Sequence, residues 1–143
     1  GRKPLLIFGS IGMAVGALGV ALTFGNESLS TVTMLSIMVY SASFMFSWGP
    51  IAWVLIAELF PNTIRGAAVA IAVAFQWIFN FIVSSTFVPM FNMHLTPGDD
   101  FGHWFTYGLD GAICIVAAIF VWKLVPETKG KSLEDMSKLW KKD

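Results

Sequence analysis

The sequence has little charge and almost no cysteine. Charged residues make up 13% of its 143 residues, against about 25% in an ordinary soluble domain, whereas apolar residues reach 56%. Nine lysines and arginines are balanced by nine acidic residues, so there is no net positive field to attract a nucleic acid. The single cysteine, Cys114, excludes a disulfide scaffold. The composition therefore predicts a membrane protein.

The chain also lacks an initiating methionine and a signal-peptide pattern, and we expect it to be a piece of a longer protein. A helix that crosses a bilayer needs about 20 mostly apolar residues. Four stretches meet that requirement, at residues 4–24, 31–57, 66–91 and 104–125. We expect residues 1–131 to form one membrane region and residues 132–143 to form a short amphipathic helix on the cytoplasmic side.

Positive charge lies on one side of this predicted membrane region. Short loops are expected at residues 25–30, 58–65 and 92–103, so neighbouring helices run antiparallel. All nine lysines and arginines then lie at the two ends of the region or in the middle loop, and the other two loops carry Glu27, Asp99 and Asp100 but no lysine or arginine. Because lysine and arginine are retained in the cytoplasm, we expect a multi-pass protein of the cell membrane with both chain ends cytoplasmic.

Small residues follow one face of the first span. Two of its glycines form the G-x-x-x-G pattern, which lets helix backbones approach closely in lipid. This face is therefore expected to pack against another helix. The glycines recur at steps of three, four and three residues: Gly9, Gly12, Gly16 and Gly19.

Polar stripes follow the second and third spans. Polar side chains are costly in hydrocarbon unless they face a partner or water, which favours a common interior for both stripes. The alternative, that the stripes only join helices through hydrogen bonds, stays open. The second span carries Ser36, Tyr40, Ser43 and Ser47, and the third carries Gln76, Asn80 and Ser84.

A binding site is indicated where these two spans combine a proline, indoles and amides. Pro50 removes the hydrogen bond to the carbonyl of Phe46, so the second span is expected to kink or break there. Trp53 follows three residues later, and Gln76 and Trp77 lie within the third span. An indole suits the C–H face of a sugar ring, and amides suit its hydroxyls. The pattern predicts a neutral polyol as the ligand.

Four motifs occur in order along the chain and together resemble one known family. They are SWGPIAW at residues 47–53, ELFPNTIRG at residues 58–66, QW at residues 76–77 and PETKG at residues 126–130. The chain resembles the sugar porter family of the major facilitator superfamily, and is similar to its bacterial D-xylose:proton symporter-like members. The resemblance implies an all-α membrane fold in which this chain supplies the last four of twelve transmembrane helices, helices nine to twelve, and the short cytoplasmic helix.

The resemblance also implies roles for individual residues. Trp53, Gln76 and Trp77 would contact the sugar. Gly49 would let the sugar approach the backbone, and Asn80 is added on position alone, one turn beyond Gln76. The resemblance further implies a charge network that closes the cytoplasmic gate, formed by Arg2, Glu58, Arg65 and Glu127. The alternative is that Glu58 and Arg65 form an ordinary exposed ion pair, worth about 0–1 kcal/mol.

The expected function is movement of a neutral monosaccharide, xylose or a hexose, by proton-coupled alternating access. The alternatives are a facilitated-diffusion uniporter, a membrane sugar sensor that does not transport, and a four-helix bundle without a ligand. No nucleophile–base pair, phosphate loop or metal motif is present, so we expect no enzyme activity, cofactor or metal. The expected partners are the sugar, the lipid bilayer and eight preceding helices of the same protein, and no nucleic acid.

One acid, Asp110, lies within the fourth span, and an acid within the membrane is a functional candidate. The resemblance implies that the proton-coupling acid belongs to the first helix of the family. Asp110 is therefore expected to lie at the outer rim or to face a cavity, without a coupling role.

Overall fold

The apolar stretches form long helices in the computed structural model, which describes residues 1–24, 29–95 and 100–126. These residues form helices and contain no strand. Two of the helices, α2 and α3, are parts of one apolar segment, so four segments have the length and composition to cross a membrane. The expected all-α membrane fold is confirmed. The helices are α1 (Arg2–Thr23), α2 (Ser30–Phe46), α3 (Trp48–Leu59), α4 (Asn62–Phe91) and α5 (Phe101–Leu124).

Helix α1 is the centre of the described part and packs between α2 and α5. At one end of the bundle, Leu6 of α1, Leu55 of α3 and Val121 of α5 form a buried apolar cluster. Further along, Met13 of α1 packs with Cys114 of α5. The start of α1 therefore lies beside the ends of α3 and α5, as an antiparallel arrangement requires.

The opposite end of the bundle is held by aromatic rings. The ring of Phe91, at the end of α4, lies 5.6 Å from that of Phe24 and 4.2 Å from that of His103, between centroids. Edge-to-face and tilted pairs of this kind contribute about 0.5–1.5 kcal/mol beyond the burial of their area. These contacts attach the end of α4 to the end of α1 and the start of α5.

The glycine stripe of α1 packs against α2, which confirms the expected close helix contact. The same contact corrects the interpretation of the polar stripe of α2. Ser43 and Ser47 are buried against α1, and the hydroxyl of Ser36 donates to the carbonyl of Val32 in its own helix, at 2.8 Å. The serines join helices and do not face a common interior with α4. A Cβ atom added to each glycine would collide with α2: Gly9 with Ser47, Gly12 with Ser43, Gly16 with Ser36 and Tyr40, and Gly19 with Ser36.

Gly16→Ala is expected to destabilise the protein by about 1–3 kcal/mol, the usual range for overpacking. Its Cβ atom would lie 2.8 Å from both the backbone oxygen of Ser36 and the backbone nitrogen of Tyr40, and backbone atoms cannot rotate away. The matched control is Gly108→Ala, where a Cβ atom would meet nothing within 4 Å. Thermal unfolding of the purified protein in detergent should show a lower midpoint for Gly16→Ala alone. Equal midpoints for the two variants would contradict the close contact.

The second apolar segment breaks at Ser47, as the position of Pro50 predicts. Helix α2 ends at Phe46 and α3 begins at Trp48, while Ser47 has φ −117° and ψ −89°, outside the helical region. The hydroxyl of Ser47 donates to the carbonyl of Leu5 at 2.8 Å. The break is therefore confirmed, and it is fixed against α1.

The connection between α3 and α4 is shorter than the sequence predicts. A loop is expected over residues 58–65, but only Phe60 and Pro61 lie between the two helices. Pro61 has φ −59°, which suits the start of a helix, and its carbonyl accepts hydrogen bonds from the N–H groups of Ile64 and Arg65. Glu58 thus belongs to the last turn of α3 and Arg65 to the first turn of α4. The predicted tail at residues 132–143 lies outside the described residues, as does Glu127.

Candidate functional site

Gly49 and Trp53 lie on a face of α3 that is turned away from the buried cluster. They are four residues apart and so share one side of the helix, whereas Leu55 packs against α1 and α5. Trp53 is 39% exposed. A Cβ atom added to Gly49 would meet only Phe44, at 3.4 Å or more. The backbone beside the helix break is therefore open to close approach by a ligand.

Gln76, Trp77 and Asn80 lie on α4, no residue of which is buried. The side chain of Trp77 is 69% exposed, and the amide oxygen of Asn80 accepts a hydrogen bond from the hydroxyl of Ser84 at 3.3 Å. Amide groups in a membrane need a polar partner or water. The expected sugar contacts thus occupy two helix faces that the described residues leave uncovered, rather than one enclosed pocket.

The structure brings two of the expected gate residues together. Arg2, at the start of α1, forms an ion pair with Glu58, at the end of α3, through Nη2 and Oε1. Both side chains are about one third exposed. Arg65 donates from Nη2 to the carbonyl of Phe60 at 3.5 Å, and its Nε is buried with no hydrogen-bond partner among the described residues. The ion pair of Arg2 and Glu58 therefore joins α1 to α3 at the end of the bundle where α4 begins.

Trp48 makes a contact that the sequence interpretation missed. Its indole Nε1 donates to the hydroxyl of Ser10 at 2.7 Å, and that hydroxyl donates to the carbonyl of Leu6 at 2.9 Å. These two bonds hold the first turn of α3 on α1, directly after the break. The signal that could have found them is Ser10, the one hydroxyl in the middle of the mostly apolar first span, since a hydroxyl there favours a polar partner.

A cavity of about 520 Å³ lies between α1, α2, α4 and α5 and contains none of the expected sugar contacts. Asp110 of α5 lines this cavity, which agrees with the expectation that it faces one. Tyr40 of α2 lines the same cavity. The sequence placed Tyr40 in the polar stripe, and its position beside Asp110 depends on how α2 and α5 pack around α1.

Comparison with known proteins gives one family for nearly the whole chain. A family model described as "Sugar (and other) transporter" matches residues 1–140. The D-xylose-proton symporter of Escherichia coli strain K12 is 48% identical over 140 residues, which are 98% of this chain and 28% of that protein. The glucose facilitated diffusion protein of Zymomonas mobilis is 38% identical over 141 residues, which are 99% of this chain and 30% of that protein.

Solved structures agree with this result. The inward-open xylose transporter of E. coli matches with a TM-score of 0.81 at 49% identity, over 98% of this chain and 30% of that one. A proton:xylose symporter of the major facilitator superfamily, bound to 6-bromo-6-deoxy-D-glucose, matches with a TM-score of 0.84 at 48% identity, over 98% and 29% of the two chains. The chain thus spans less than a third of the length of each of these proteins.

Proposed function

The chain belongs to the sugar transporter family, and we propose that it is the C-terminal part of a transporter that moves a neutral monosaccharide by alternating access. In this proposal residues 1–131 supply helices nine to twelve and residues 132–143 supply a cytoplasmic helix. Eight preceding helices of the same protein form the opposite wall of the sugar site. The observation that carries the proposal is the broken segment α2–α3, because discontinuous helices recur in transporter binding sites.

The proposed sugar contacts lie in two places, next to the helix break and on the exposed face of α4. Trp53 follows the break, and Gln76 and Trp77 are exposed on α4, a helix without a fully buried residue. A sugar offers an apolar C–H face to an indole and hydroxyls to an amide, so it matches both groups. Gly49 allows close approach to the backbone, and Asn80 extends the amide stripe by one turn.

The proposed cytoplasmic gate uses the charges at the end of the bundle where α1 begins. Arg2 and Glu58 are paired there, and the buried Nε of Arg65 is available to an acceptor supplied by Glu127 or by the preceding helices. Opening the gate exchanges ion pairs for hydration, which lets the two states lie close in free energy. The distribution of lysine and arginine supports a cytoplasmic location for this end, and thus for both chain ends.

Proton coupling and xylose are proposed as the transport mode and substrate because a relative with 48% identity is a D-xylose-proton symporter. A uniporter for glucose is the second candidate, since the relative from Zymomonas mobilis is a facilitated diffusion protein. Uptake that collapses when the proton gradient is dissipated supports symport, and uptake that continues unchanged supports the uniporter.

The experiment that tests the proposal replaces the matching segment of the E. coli D-xylose-proton symporter with this chain. We call the product the chimera. Uptake of labelled xylose is measured in cells that lack other xylose transporters, with the amount of chimera in the membrane as the control. Uptake above the background of empty cells supports the proposal. A chimera that reaches the membrane, unfolds cooperatively in detergent and neither binds nor transports a monosaccharide would overturn it.

Asp110→Asn is expected to leave the pH dependence of xylose uptake by the chimera unchanged. The coupling acid is expected in the first helix, which the E. coli part supplies, and Asp110 lies in a cavity without the proposed sugar contacts. Uptake is measured from acidic to alkaline external pH for both proteins. A profile that becomes flat in the variant would transfer the coupling role to Asp110.

A further inference from the structure

Two adjacent residues at the helix break, Ser47 and Trp48, attach α3 to α1. The hydroxyl of Ser47 donates to the carbonyl of Leu5 at 2.8 Å, and the indole of Trp48 donates to the hydroxyl of Ser10 at 2.7 Å. Ser10 and Ser47 are fully buried, so water has little access to either bond. We call these four residues the joint. Both of its bonds lie inside the described bundle, between helices of this chain.

The hydroxyl of Ser47 does not act as a serine in its position usually does. Ser47 is the N-cap residue of α3, and a serine there ordinarily accepts a hydrogen bond from an N–H group of the first turn. The side chain of Ser47 makes no such bond, and its backbone carbonyl accepts from the N–H of Ile51 at 3.0 Å. The hydroxyl is therefore used to attach α3 to its neighbour and not to cap it.

Gly9 of α1 provides the room for this contact. It lies one helical turn after Leu5, whose carbonyl accepts the bond from Ser47. A Cβ atom added to Gly9 would collide with both the Oγ and the Cβ atoms of Ser47. The glycine and the serine hydroxyl thus form one fitted contact, which places the end of α2 and the start of α3 on α1.

The joint restricts the rotation of α3 about its own axis. At about 100° per residue, Trp48 and Leu55 differ by about 20° and share the packed face, whereas Trp53 lies about 140° from Trp48. The apolar contacts of Leu55 are non-directional and tolerate a small rotation of the helix. A hydrogen bond requires a narrow range of distance and angle. The bond from Trp48 therefore fixes the direction of Trp53, because both residues belong to one rigid helix.

We propose that Ser47 and Trp48 are positioning residues for sugar binding, which set the direction of Trp53 without touching the sugar. The proposal rests on the proposed function, because it deepens the role of Trp53 as a sugar contact. A binding group has to be held within about 10–20° of its productive geometry, so a small rotation of α3 weakens the contact of the indole with the sugar. Gly49 directly follows Trp48, and the same bonds set its place beside the ligand.

Calorimetry on the purified chimera tests the proposal through two variants of the joint. Trp48→Phe keeps an aromatic ring and removes the N–H donor, and Ser47→Ala removes the hydroxyl. Each should lower the affinity for xylose about twofold to tenfold, which corresponds to the net contribution of one hydrogen bond. The control is Ser36→Ala, which removes a hydroxyl of the same stripe that bonds to Val32 within α2. It should bind xylose like the parent.

The signal of Trp53 itself separates a positioning role from a general loss of stability. In the chimera labelled with fluorotryptophan, the fluorine NMR signal of Trp53 is identified by its absence in Trp53→Phe. This signal should move in both joint variants and stay in place in Ser36→Ala. Val20→Ala truncates a buried side chain towards the other end of α1. It should lower the unfolding midpoint and leave both the Trp53 signal and the affinity for xylose unchanged.

An unchanged Trp53 signal in both joint variants overturns the positioning role, and so does an unchanged affinity for xylose in both. Where one of the two variants fails to fold, the other decides by itself. A chimera that folds but binds no monosaccharide overturns the proposed function, and the positioning role with it. A chimera that binds xylose equally well in the parent and in both variants overturns the positioning role alone.

Discussion

Gln76→Ala is expected to lower xylose uptake by the chimera about fivefold to a hundredfold, since loss of buried hydrogen bonds costs about 1–3 kcal/mol and each 1.4 kcal/mol is tenfold. The carboxamide both donates to and accepts from sugar hydroxyls, which alanine cannot do. The loss should appear as weaker sugar binding. Initial uptake rates over a range of xylose concentrations, together with calorimetric binding, measure it.

The matched control is Ser85→Ala. Ser85 is nine residues after Gln76, or two and a half helical turns, so it lies on the opposite side of α4 and is likewise exposed. Ser85→Ala should transport like the parent. If Gln76→Ala does the same, Gln76 does not contact the sugar. Trp77→Ala should behave like Gln76→Ala. Its control is Trp122→Ala on α5, where the tryptophan is 63% exposed against 69% for Trp77.

Glu58→Gln is expected to lower uptake by about tenfold while leaving xylose binding intact. The substitution removes one partner of an ion pair whose side chains are about one third exposed. We expect the closed gate to lose about 1–2 kcal/mol of stability, which is more than an exposed pair contributes and less than the loss of a fully buried one costs. The cytoplasmic gate then closes less readily, so the protein binds sugar but cycles slowly. Uptake and calorimetric binding are measured on the same preparation.

The control for this prediction is Lys123→Gln, which removes a charge from the last turn of α5 outside the proposed network. It should have little effect on uptake. A double variant with exchanged charges, Arg2→Glu with Glu58→Arg, should recover part of the uptake that Glu58→Gln loses. Full uptake by Glu58→Gln, or an equal loss of binding and uptake, would contradict a gate role for Glu58.

The fold could be predicted from the sequence because its strongest signals are local. Apolar length predicts the helices, and Pro50 predicts the break at Ser47, since each depends on a few neighbouring residues. The loop at residues 58–65 was predicted wrongly because its charged residues look like loop residues. In the structure they lie in the terminal turns of two helices separated by Phe60 and Pro61.

The partners of each helix face could not be predicted in the same way. Periodicity shows that Ser43 and Ser47 share a face, but it does not show which helix they meet. The glycines of α1 complement these serines in size, and that match between two stripes is visible only once the helices are paired. Tyr40 and Asp110 are 70 residues apart, and that they line one cavity depends on the packing of both helices against α1.

The central claim, that the stripe of α4 at Gln76 and Asn80 faces the sugar, is tested most directly by cysteine protection. Cys114 is buried, so Asn80→Cys can serve as the reactive cysteine of this chain, in a chimera whose E. coli part lacks cysteine. The account predicts that a water-soluble maleimide labels Asn80→Cys and that xylose slows this labelling, whereas Trp122→Cys shows no protection. Labelling of Asn80→Cys at the same rate with and without saturating xylose, in a variant that still binds it, would contradict the account.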